Sequence, residues 1–172
     1  SGHVYPNIPG EPWAGPRLLY RNLGNRKFED VSHLGGPALS RNYSSRGAAF
    51  GDFDNDGDID VLVMNMDQPP SLLRNDRANR NHWISVKLEG TGSNRAAIGA
   101  TVTVHAAGRS QSAPVLSQSS YLSANDLRLH FGLGAAASID RIEVSWPSGE
   151  TETFRGAKVD TTATLKEGQG QR

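Results

Sequence analysis

The chain has 172 residues, enough for one average domain or two small ones around a buried core. Hydrophobic residues make up 36% and charged residues 21%, and Lys plus Arg equals Asp plus Glu at 18 each, so the composition is globular with no overall pull toward nucleic acid or anionic membrane. Cysteine is absent, which excludes disulfide scaffolds, thiol nucleophiles and cysteine zinc sites.

No run of 18 apolar residues occurs, so no membrane-inserted helix is expected. No signal peptide is visible either. The chain opens on Ser1-Gly2 without a methionine, as expected of a processed or excised piece, so the missing leader weighs little against secretion. Glycine (19) and proline (9) punctuate short β-branched and aromatic runs, and no stretch keeps a helical apolar period over a dozen residues. The expected fold class is all-β.

In chain order, Pro6, Pro9, Gly10, Pro12, Gly15 and Pro16 oppose regular structure before Arg17. Strands are expected at 18–22 and 27–31, joined by a tight turn at Gly24-Asn25. Residues 35–42 read as loop. Strands at 46–51 and 59–65 flank an acidic segment, and 71–75 is another short strand. Leu19-Tyr20-Arg21-Asn22 is echoed by Leu72-Leu73-Arg74-Asn75, an offset compatible with a propeller-blade period or with chance. The polar stretch from Asp76 to Asn81 marks a domain boundary, dividing the chain into 1–78, 79–168 and a tail of 169–172, and Glu167 to Arg172 is expected to fray.

Beyond the boundary, apolar residues alternate with polar ones. Ile84, Val86 and Leu88 do so, as do Val102 and Val104, then Leu127, Leu129 and Phe131, then Ile142, Val144 and Trp146. A period of two means one buried and one wet face. Trp146-Pro147-Ser148-Gly149-Glu150 is a turn that should pair 140–146 with 151–155, and 161–166 is a last strand. Six or seven strands in this half predict a β-sandwich.

The segment Asp52-Phe53-Asp54-Asn55-Asp56-Gly57-Asp58-Ile59-Asp60 carries the chemistry. Asp52, Asp54, Asp56 and Asp60 occupy positions 1, 3, 5 and 9 of a loop, and the main-chain carbonyl of Asp58 sits at position 7. Calcium takes six to eight hard oxygen ligands, and alternate residues of a tight loop point carboxylates to one centre. Gly57 permits the sharp turn. Without a cation such carboxylates repel one another strongly. The alternative is a solvated acidic turn. An EF-hand is excluded because position 12 is Val63, not Glu, and because strand-like rather than helical segments flank the loop.

Arg46-Gly47-Ala48-Ala49-Phe50-Gly51, the Asp loop and Val61-Leu62-Val63-Met64-Asn65 together resemble an FG-GAP or VCBS repeat. Leu19-Tyr20-Arg21-Asn22-Leu23-Gly24-Asn25 and Lys27-Phe28-Glu29-Asp30-Val31 resemble the opening of such a repeat. The resemblance implies a propeller-blade-like unit with structural Ca²⁺ held by Asp52, Asp54, Asp56, Asp60 and the carbonyl of Asp58. The second half resembles the ASPIC/UnbV domain through His82-Trp83-Ile84, Ser93-Asn94-Arg95, Ala97-Ile98-Gly99-Ala100, Tyr121-Leu122-Ser123, Leu129-His130-Phe131-Gly132-Leu133-Gly134 and Trp146-Pro147-Ser148-Gly149. The order of the two, together with Gly2-His3-Val4-Tyr5-Pro6, is similar to that of cartilage acidic protein-like chains, whose full-length members carry several repeats and are exported. This chain departs from them in having about one blade.

Other features weigh less. His3, His33, His82, His105 and His130 lack metal spacing. No Gly-x-Ser-x-Gly elbow occurs, and Gly132-Leu133-Gly134 reads as a turn between strands. Ser93-Asn94-Arg95 is either a ligand-facing loop or one whose shape Asn94 fixes. Trp13, Trp83 and Trp146 offer a sugar platform or, for Trp83 and Trp146, core packing. The expected function is a non-catalytic, calcium-stabilised adhesion or recognition module. It would be secreted or displayed at a cell surface, with a bacterial periplasm as a further compartment, and would contact a protein or glycan. The alternatives are a self-assembling structural subunit joined through strand edges, and an accessory protein or enzyme of a biosynthetic pathway, an association carried by the UnbV resemblance.

Overall fold

The computed structural model describes residues 13–76 and 81–172. Its strands and turns are those of an all-β protein, as expected. The Gly2–Pro6 resemblance and the boundary at 78 lie outside the described residues.

The chain divides into two compact units. Among the described residues, the first holds those up to Ala49 with Val61–Leu73 and Ser120–Ser123. The second holds Phe50–Asp60, Ala124–Arg172 and the described part of Arg74–Ser119. The acidic loop therefore falls within the second unit, although the sequence reading grouped it with the blade.

In the first unit, β1 (Tyr20–Gly24) and β2 (Lys27–Asp30) form an antiparallel ribbon. The turn is Asn25-Arg26, one residue later than expected. Both residues have positive φ (49° and 62°), the twist a two-residue hairpin requires. The expected loop at 35–42 contains one short helical turn, α1 (Pro37–Ser40), preceded by a 3-10 turn at Ser32–Leu34. Proline at the start of α1 costs nothing, because that N–H has no helical acceptor. Next come β3 (Ser45–Gly51), β4 (Asp60–Asn65) and β5 (Gln68–Leu73), ordered β3-β4-β5. Pro69 and Pro70 are tolerated because β5 is an edge strand. The interior here is mixed, with Val31 and Val63 buried beside Arg17, Ser44 and Asn65. Arg17, buried, donates to the Ala38 carbonyl at 3.1 Å, to Asn65 Oδ1 at 3.1 Å and to Ser71 Oγ at 2.8 Å, with its guanidinium 4.5 Å from the Tyr43 ring centre.

The second unit is a sandwich of two sheets. One is ordered β11-β10-β7-β8 and the other β12-β6-β9, where β6 is His82–Glu89, β7 Thr101–Ala106, β8 Arg109–Pro114, β9 Leu129–Gly134, β10 Arg141–Ser145, β11 Thr151–Phe154 and β12 Thr161–Lys166. Ile84, Val86 and Leu88 from one sheet meet Val102, Val104, Ile142 and Val144 from the other in a single buried cluster. These are the alternating residues of the sequence, and fully burying each such side chain stabilises the fold by about 1.5–3 kcal/mol. The expected hairpin of β10 and β11 is present, with Ser145 opposite Thr151.

One strand is added and two expectations are corrected. The polar run Arg109–Pro114 pairs with β7 as an exposed edge strand that alternation does not reveal. Gly132-Leu133-Gly134 is no turn: Gly132 and Gly134 lie opposite Trp83 and His82 in the β9–β6 ladder. The tail is not frayed. Glu167 is 8% exposed, its amide donates to the Glu89 carbonyl, and Gly168 and Gly170 donate to the buried carboxylate of Glu152 at 2.8 and 3.2 Å. Thr153 and Gln171 exchange main-chain hydrogen bonds.

Glu167 also fixes the loop containing Ser93-Asn94-Arg95. Its Oε2 accepts the amides of Thr91, Gly92 and Ser93, each at 2.8 Å, and its Oε1 accepts the hydroxyls of Ser93 and Ser148. These donors, the Ser93 amide foremost, hold its carboxyl at a pKa of about 2. Asn94 closes the loop on Ile98, donating to its carbonyl at 2.9 Å and accepting its amide at 2.8 Å. Arg95 is exposed.

Candidate metal centre

The loop between β3 and β4 is shaped by its own carboxylates. Asp52 is 6% exposed, and its two oxygens accept the amides of Asp56 at 3.1 Å and Gly57 at 3.0 Å. Asp60 is 2% exposed and accepts the amides of Phe53 at 3.1 Å and Asn75 at 2.8 Å. Asp56 accepts the amide of Asp58 at 2.9 Å, a short side-chain turn. Asn55 and Gly57 both have positive φ (60° and 93°). A β-carbon on Gly57 would lie 2.2 Å from the Trp83 indole, so glycine is required here twice, by backbone conformation and by the ring against it.

This folding brings carboxylate oxygens of Asp52, Asp54 and Asp60 within 4.8 Å of one another. Each amide bond uses one lone pair, so the buried oxygens keep acceptor capacity directed into the cluster. At an effective dielectric of about 20, two charges at such a distance repel by roughly 3 kcal/mol. Arg74 brings its Nη1 to 3.9 Å from Asp54 while its Nε pairs with Asp76 at 2.6 Å. Burial, then the neighbouring Asp56, pushes the Asp58 carboxyl above the ordinary range. Hard, anionic, oxygen-only donors of this kind suit a divalent cation of the calcium type, so the residues present fit such an ion. Asp56 and Asp58 lie outside the group of three.

The loop is seated on the second unit by residues that the sequence reading did not single out. Arg128 donates to Asn55 Oδ1 at 2.6 Å, to the Asp52 carbonyl at 2.8 Å and to Asp126 Oδ2 at 2.7 Å. Asp126 in turn donates its amide to the Phe50 carbonyl at 2.9 Å, and the Phe50 amide reaches Asn125 Oδ1 at 3.1 Å. Apart from the local Arg128–Asp126 pair, these partners lie more than 70 residues apart in sequence, where loop spacing carries no signal.

Three of the histidines sit in pairs or stacks. His130 stacks on Trp83 with ring centres 5.7 Å apart, and burial lowers its pKa. His82 Nδ1 lies 2.7 Å from Asp160 and His105 Nε2 lies 3.3 Å from Glu143. Trp146 is a core residue at 3% exposure. Among the described residues, the grouping of three or more metal-ligating side chains is the aspartate cluster alone.

Comparison with known proteins agrees with this reading of the two halves. The FG-GAP-like repeat family matches residues 14–63, and the ASPIC and UnbV family matches residues 90–172. The chain is thus similar to an FG-GAP-like repeat in its first half and to the ASPIC and UnbV family in its second. Cartilage acidic protein 1 of Homo sapiens and that of Mus musculus are each 29% identical to it over 154 residues, covering 87% of this chain and 23% of the relative. The chain thus spans about a quarter of the length of these curated relatives. The FG-GAP-like match includes the whole Asp52–Asp60 loop, whereas the ASPIC/UnbV match begins just after β6, the middle strand of its own sheet. The two families and the relative suggest an extracellular or recognition module.

Proposed function

We propose that the chain is a calcium-stabilised, non-catalytic adhesion or recognition module, acting outside the cell or at its surface on a protein or glycan. The single observation behind this is the convergence of Asp52, Asp54 and Asp60, two of them buried, in a loop where glycine alone fits the turn. The three carboxylates, with Asp56 and the main-chain carbonyl of Asp58, supply the oxygen ligands. FG-GAP repeats commonly bind calcium, which supports the same ion.

The test is a thermal melt with calcium and with chelator. An ion that binds only the folded chain, at a hundred times its Kd, adds about 2.7 kcal/mol of stability. The melting temperature should therefore rise with free Ca²⁺. Superimposable melts at millimolar Ca²⁺ and in excess chelator would remove the calcium reading.

A second reading, a self-associating structural subunit, draws on one observation in the first unit. Leu62 and Leu72 lie directly opposite on β4 and β5, Met64 follows on the same face of β4, and all three are 43–52% exposed. Contiguous apolar surface of this kind marks association. Light scattering that reports a strict monomer at high concentration would dismiss it.

A further inference from the structure

We propose that Arg128 is a positioning residue for the cation loop, clamping it in its ligating shape onto the Asn125–Arg128 segment. The inference rests on the calcium reading above and assigns the loop a dependence on a residue outside the acidic motif. Arg128 touches no member of the carboxylate cluster through that member's side chain. Its fork reaches the Asp52 main-chain carbonyl, the Asn55 side chain and Asp126 together. Asn55 has positive φ (60°), so the same fork holds a backbone conformation that is unfavourable for a free chain. The Asp126 amide and the Asn125 side chain grip Phe50, just before the first carboxylate. On the far side, Gly57 lies against Trp83 on β6. Both ends of the ligating turn are thus fixed by the rest of the second unit, and the ion and those contacts stabilise each other.

Two physical effects of Arg128 act on calcium with opposite signs. As a positive charge near Asp52 it repels the ion, so deleting it should tighten binding if charge were its only role. As a clamp it pre-pays the ordering of the loop, so deleting it should weaken binding. Removing outer-shell partners of metal ligands typically lowers affinity about 10- to 100-fold. Arg74 provides the contrast. It approaches the Asp54 carboxylate itself at 3.9 Å and makes no bond to the loop backbone, so it competes with the ion without shaping the loop.

The experiment is calcium calorimetry on the whole chain, with amide exchange of Asp56 and Gly57 followed by NMR without calcium. Arg128→Met should bind Ca²⁺ about tenfold or more weakly and lose protection at those two amides, which report the Asp52 side-chain bonds. Arg74→Met should bind at least as tightly as the parent. Arg128→Lys keeps the charge but cannot reach three acceptors at once, so it too should bind more weakly, and it decides the question if Arg128→Met does not fold. Parental or tighter calcium affinity in the folded Arg128 variants overturns the clamp and leaves calcium binding intact. A parent chain that gives no calcium isotherm overturns the calcium reading and the clamp with it.

Discussion

The second unit gathers 14 apolar side chains into one buried cluster, while the first is organised around a hydrogen-bonded arginine. The first unit does not lack apolar residues. Leu18, Leu19, Tyr20, Leu23, Phe28 and Leu34 are all 46–64% exposed, and β1 and β2 are exposed along their whole lengths. What differs is that the sandwich supplies a facing sheet for each alternating strand, whereas the ribbon β1–β2 has none in its unit. Burial therefore holds one region, and directional hydrogen bonds through Arg17, Asn65 and Ser71 set the geometry of the other.

The largest effect that would sharpen this contrast is expected from Ile142→Ala, at a fully buried position of the sandwich. The cavity should cost about 2–5 kcal/mol in a denaturant melt. Hydrogen exchange should accelerate across β6–β12 and leave β4 and β5 unchanged. Equal acceleration in both units would break the division between them.

An intermediate effect is expected from acid. The folded-state pKa of Glu167, about 2, lies below its ordinary value of 4.5. The stability it contributes is therefore fully present above about pH 4.5 and is lost as pH falls toward 2. Melting temperatures of the parent should drop over that window, and Glu167→Gln should show a flatter profile. Identical slopes would mean that the carboxylate does not anchor the loop at 91–93. The smallest effect is expected from Arg21→Ala in the exposed ribbon. Its 3.8 Å pair with Glu29 is half exposed on both sides, so the change should stay under about 0.5 kcal/mol in the same melt.

The sandwich strands were legible because alternation at Val102–Val104 and Ile142–Val144 records a sheet with one dry face. The aspartate spacing was legible because Asp52, Asp54 and Asp60 converge within one loop, where sequence distance and spatial distance agree. Strand β8 was hidden because Arg-Ser-Gln-Ser-Ala-Pro is an edge facing solvent, with no buried side to imprint a pattern. The tail misled because a polar, glycine-containing end reads as frayed, yet its glycine amides are the donors that Glu152 requires. Arg128 was silent for a different reason: a fork that grips main chain 76 residues away has no local signature.

The pairing of β12 with β6 has a consequence for biosynthesis. Thr161 lies beside Ile84, in parallel register, and Glu167 closes on Thr91–Ser93. On the ribosome, β6 emerges with both flanks open; β9 follows to cover one, and the other waits for the synthesis of more than seventy further residues before β12 covers it. The sandwich therefore closes late, and until then the apolar face of Ile84-Ser85-Val86-Lys87-Leu88 stays open to aggregation.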